Sequence, residues 1–110
     1  MTTKAAQLRF DLLRKLGCIC CMKDSLGWRA PEMHHIVGSS YRKHSGGDHD
    51  TLPLCAHHHR NEPPGNLRPS EAMQIFGPTL RAHKREFTAR YGTERELLAE
   101  TNALIDGMRA

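Results

Sequence analysis

A chain of 110 residues, 38% hydrophobic and poor in aromatics, has room for one domain and one modest core, and burial alone leaves it a thin stability margin. Its formal charge of +4 and pI near 9.1 suit a polyanionic partner and an ordinary solvated surface equally well. No apolar run reaches membrane-span length and MTTKAAQLRF lacks a signal-peptide h-region, so the expectation is a cytoplasmic protein with no membrane contact. In that compartment four cysteines beside histidines point to metal rather than to disulfides.

From Thr3 to Leu16 the apolar residues Ala5, Leu8, Leu12, Leu13 and Leu16 recur at helical spacing, and Gly17 supplies a stop. Cys18 to Arg60 lacks such periodicity. Within it EMHHIV and TLPLC read as two short strands, joined by the polar loop GSSYRKHSGGDHD with its Gly-Gly turn. NEPPGNLRPS is a second breaker-rich loop. Beyond it Leu80, Phe87 and Tyr91 share a helical face that ends at Gly92. Thr93 and Glu96 form a capping pattern that opens a last helix, with the stripe Leu97, Leu98, Thr101, Leu104, Ile105 and Met108. These stripes are core. The expected class is α+β, one domain over residues 1–110, with a metal and active-site core at 17–60 and flanking helices at 1–16 and 69–109.

Cys18 and Cys21 are spaced C-x-x-C, and Cys55 and His58 C-x-x-H. Together they make a Cys3His set, the usual four-ligand closure of a structural zinc. Cys20 offers poorer chelating bites with its neighbours and reads as a small buried filler. In PLCAHHHR a helix starting near Cys55 puts His58 on the same face as Cys55. His59 then lies about 100° further round and is free for a second site, while His57 is expected to face solvent. The other paired histidines that could share that second site are His34 and His35.

A strand ending in HHI, a loop, then LC-x-x-HH opening a helix resembles the HNH endonucleases, whose fold is ββα-metal; the framing C-x-x-C belongs to the same likeness. GCICC, EMHHIVG, DTLPLCAHHHR and REFTARYGTERELL together resemble phage recombination-enhancement nucleases that depend on the RecA recombinase. The resemblance implies a DNA endonuclease. It places His34 and His59 on a catalytic divalent metal (Mg2+, Mn2+ or Zn2+), and makes His35 the general base. Asp50 stands where the family's middle Asn is expected, with Asp48 and His49 as substitutes. Where many members carry a further ligand, this chain has Pro63, and His83 is a distant candidate. DNA and a RecA filament are the implied partners.

Hydrolysis of a phosphodiester needs a water deprotonated near neutral pH, which suits imidazole, and a cation on the scissile phosphate. Adjacent strand residues point to opposite faces, so His34 and His35 can serve one phosphate only from a twisted strand end or a bulge. Arg42, Lys43 and Arg60 are candidate phosphate contacts, with ordinary solvated charge equally plausible. Trp28 and Tyr41 could stack on bases, although packing near the zinc knuckle is the favoured expectation for them. His44 is uncommitted. The competing class is a zinc module that binds nucleic acid without cleaving it; it would need neither His34 and His35 nor His59. A junction resolvase would share the chemistry and differ in substrate shape.

Overall fold

The computed structural model describes residues 3–36 and 50–109. Tyr41, Arg42, Lys43, His44, Asp48 and His49, and the loop that holds them, lie outside the described residues. Thr3 caps α1 (Lys4–Leu16), its Oγ1 accepting the Ala6 N–H at 3.1 Å. α1 stops at Gly17, where φ is +81° and a Cβ would come within 2.6 Å of the Trp28 ring; only glycine fits.

The face that α1 buries differs from the expected one. Ala6, Arg9, Leu12 and Leu13 are buried, whereas Ala5 and Leu8 are exposed. Arg9 is the cause. Its Nε and Nη2 donate to Thr51 Oγ1 (3.0 Å) and Thr51 O (2.7 Å), and its Nη1 to Asn102 Oδ1 (2.8 Å). A guanidinium satisfied on three sides can be buried, which a count of apolar residues does not anticipate.

After α2 (Ile19–Lys23), β1 (Glu32–His35) pairs antiparallel with β2 (Thr51–Leu54), Glu32 opposite Leu54 and His35 opposite Thr51. Alternation along this pair decides what each side chain meets. Leu52 and Leu54 join Ile36 in the larger core, with Ile19 and the cysteines below and Phe87, Tyr91, Leu97 and Leu98 around them. Met33, on the opposite face, packs with Leu12, Leu13 and Ile105. Cys55 ends β2 and caps α3 (Ala56–Arg60), its Sγ accepting the His58 N–H at 3.5 Å.

α4 (Pro69–Phe76) begins where the C-terminal helices are expected to begin, at the end of the breaker-rich loop. Pro69 sits at its first position, and Glu71 reaches back to the Arg68 N–H at 2.9 Å. Leu80 precedes α5 (Lys84–Tyr91) instead of belonging to it, and its N–H ties the turn to His58 O at 2.8 Å. Thr93 and Glu96 exchange capping bonds of 3.1 and 2.8 Å at the head of α6 (Glu94–Arg109). α6 buries Leu97, Leu98, Thr101 and Ile105, but Leu104 and Met108 stay largely in water. Among the described residues no helix is long and apolar enough to cross a membrane.

Candidate metal centres

Cys18 caps α2 and Cys21 lies one turn on, so both sulfurs leave the knuckle on one side, facing Cys55 and His58 across the end of β2. The four ligand atoms lie within 4.8 Å of one another and all four residues are buried. His58 Nδ1 is 3.5, 3.6 and 3.2 Å from the sulfurs of Cys18, Cys21 and Cys55, and Cys21 Sγ is 3.8 Å from Cys55 Sγ. Tetrahedral zinc, with Zn–S about 2.3 Å and Zn–N about 2.0 Å, requires roughly 3.8 Å between sulfurs and 3.5 Å between sulfur and nitrogen. The donors fit one zinc ion.

The far side of the His58 ring fixes which nitrogen is offered. Its Nε2–H donates to the Phe76 carbonyl at 2.8 Å, which leaves the Nδ1 lone pair for the sulfurs' side. The Tyr91 hydroxyl oxygen is 3.1 Å from the same Nε2 and donates to Asp24 Oδ2 at 2.7 Å. Four donors this close cannot all keep their protons. Hydrogen bonds from Cys20, Cys21 and Cys55 push Cys18 far down, and bonds to Cys18 and Cys55 push Cys21 far up. Burial works against a charge on His58, but its bonds to Cys18 and Cys55 outweigh that and raise it to about 10. Cys20 is fully buried, and burial pushes its thiol up.

His59, one residue on, points elsewhere. Its Nε2 is 3.2 Å from His34 Nδ1, the rings meeting edge to face. Each imidazole has a carboxylate behind it. His34 Nε2–H donates to Glu94 Oε2 at 2.8 Å, and His59 Nδ1–H donates to Glu32 Oε1 at 2.8 Å. Arg60 grips Glu32 in turn with bonds of 2.8 and 2.6 Å, and with Arg60 the leading cause the Glu32 carboxyl is held down at about 2. With both ring protons committed to carboxylates, the two nitrogens face each other lone pair to lone pair. That arrangement could accommodate a cation or a further proton between them. Burial disfavours the proton, lowering His34 against the opposing pull of Glu94. Metal–nitrogen bonds of about 2.1 Å would set two ligating nitrogens roughly 3.0–3.4 Å apart.

The remaining expected site residues are distributed differently. His35 is half-buried on the strand face opposite His34. The Asp50 carboxylate pairs with Arg95 at 3.6 Å, and its carbonyl accepts the Ile36 N–H. His83 Nδ1 accepts the Thr79 N–H at 3.1 Å and so is committed to the turn before α5. Arg60, expected to be a phosphate contact, is the partner of Glu32. His57 does not face solvent: it is 2% exposed, and its Nε2–H donates to the Gly77 carbonyl at 2.8 Å. Trp28 does not pack into the knuckle; one edge lies on Gly17 while 64% of the residue is exposed. Glu32 and Glu94 went unrecognised in the sequence, where no spacing links them to the histidines.

No curated protein matches the chain. Among protein-family models, that of recombination enhancement, RecA-dependent nuclease, matches residues 2–106, nearly the whole length. The chain belongs to the family of RecA-dependent nucleases of recombination enhancement.

Proposed function

We propose that this nuclease is a metal-dependent DNA endonuclease of the HNH, ββα-metal type, acting as one domain around residues 17–60. The observation that carries the proposal is the His34–His59 pair: two ring nitrogens 3.2 Å apart, each imidazole oriented by a carboxylate. A divalent cation there would supply electrostatic stabilisation of charge on the phosphate and its leaving oxygen. Cys18, Cys21, Cys55 and His58 hold zinc and keep α3 in register with the hairpin.

The chain's own residues do the rest. His34 and His59 would hold the cation by neutral nitrogens, and Glu94 and Glu32 keep their outer protons in place. His35, the last residue of β1, accepts the proton of the attacking water; it lies on the strand face opposite His34, so this role needs the strand end to twist and bring both to one phosphate. Asp50, tied to Arg95 and through its carbonyl to Ile36, fixes the strand end from which His35 projects. Arg42 and Lys43 contact the DNA backbone.

The test is cleavage of single-stranded, duplex and branched DNA with Mg2+ or Mn2+, with and without RecA filaments. His35→Ala should lose on the order of 10²–10⁴-fold in rate with zinc content and fold unchanged. Activity within a few-fold of the parent would place the base elsewhere.

A further inference from the structure

Trp28 is the chain's single tryptophan, and its exposure has a definite setting. The indole N–H donates to the Arg14 carbonyl at 3.1 Å, and the adjoining ring edge lies on Gly17. One edge is anchored; most of the ring remains in water. Arg14 and Lys15 form the basic last turn of α1 directly beneath the anchor, and Arg29 follows in sequence. Asp11 holds Arg14 only through an exposed one-turn pair at 3.0 Å, a weak restraint. Arg29 and Ala30 continue into a cleft of about 210 Å³ along α3, closed by Ala56, His57, Pro63 and Pro64. The acid of that cleft, Glu62, pairs with Arg60 at 3.6 Å. From Trp28 to Glu32, the carboxylate behind His59, the backbone reaches at most about 14 Å. That is the span of roughly four stacked nucleotides.

We propose that Trp28 is a platform on which an unpaired base of single-stranded DNA stacks, with Arg14 and Lys15 taking the flanking phosphates on the way to the His34–His59 site, Arg29 being held over the Phe76 ring at 4.5 Å. The inference names the substrate form of the proposed nuclease and rests on that assignment. In a duplex each internal base is already stacked on both faces, whereas an unpaired base can offer one face to an indole. The neighbouring cations distinguish this surface from an apolar contact for protein, to which exposed Met22 and Leu26 would otherwise lend themselves.

Because Trp28 is the one indole, its own fluorescence reads the contact. The full chain is titrated with oligo-dT and with a duplex of equal length, no divalent cation being added. Oligo-dT should quench the emission in a salt-sensitive manner and the duplex should not. By fluorescence anisotropy of end-labelled oligo-dT, Trp28→Ala should bind on the order of 5- to 150-fold more weakly, the range for loss of one stacked base, with Trp28→Phe recovering part of it. Unchanged emission with oligo-dT, or a Trp28→Ala chain that binds it as tightly as the parent, overturns the proposal. So does an emission that responds to RecA protein alone and not to DNA, which would make this a protein contact. Failure of the nuclease assignment looks different: quenching by oligo-dT persists and no cleavage follows when Mg2+ or Mn2+ is supplied.

Discussion

His57, His58 and His59 carry the same ring, and the turn of α3 turns each toward a different neighbour: the Gly77 carbonyl, three cysteine sulfurs, and His34. Neighbouring substitutions should therefore differ in kind. His58→Ala should lower zinc content and melting temperature, since a closed four-ligand site loses a member. His59→Ala should keep both and lose cleavage, partly restored at high Mn2+; the reverse pattern would shift the histidine register by one. Glu94→Ala should weaken Mn2+ binding by about 10–100-fold at unchanged zinc content, because His34 then lacks the acceptor that fixes its tautomer. Titration calorimetry on the zinc-loaded chain measures this directly. The Glu32 carboxyl lies well below its ordinary 4.5, chiefly through Arg60, so its stabilising contribution is full above that value and disappears as pH falls toward 2. In Arg60→Ala a carbon-detected NMR titration should find Glu32 returned toward 4.5. The division between His58 and His59 could be read from C-x-x-H spacing and the helical turn. The carboxylates behind the ligands could not, because Glu94 stands 60 residues from His34 and no local pattern joins them.

At the scale of elements, strands and helices followed from the sequence wherever periodicity or capping marked them. The Thr93–Glu96 box opens α6 as its spacing requires, and both strands lie within the segments that their composition marks. α4 begins at Pro69, where the C-terminal helices are expected to begin, and Pro69 there is a helix-starting residue rather than a breaker. α2 is too short for a periodic stripe to announce it. α1 was turned by the hydrogen bonds of Arg9, a long-range interaction that overrides the placement of Leu8. Arg9→Ala should destabilise the chain by roughly 2–4 kcal/mol, as its charge-assisted bonds to Thr51 and Asn102 are lost. Chemical denaturation measures the loss; a change below about 0.5 kcal/mol, the range of an ordinary surface substitution, would rule out that role.

For the molecule as a whole, the two centres share one hairpin and one helix. Removal of zinc by a strong chelator should unfold the hairpin and α3, seen as loss of amide protection there, because metal binding and folding are coupled in small sites. Retained protection would mean that the core clusters suffice alone. The carboxylates behind the second pair of histidines also have a consequence for synthesis. Glu32 and His34 come from β1 and His59 from α3, but Glu94 comes from α6, which is made after all of them. A nascent chain that has emerged only as far as α5 holds all four zinc ligands and lacks the acceptor for His34. A fragment ending at Gly92 should therefore load zinc but bind Mn2+ poorly, so that the two sites mature in a fixed order, the zinc site first.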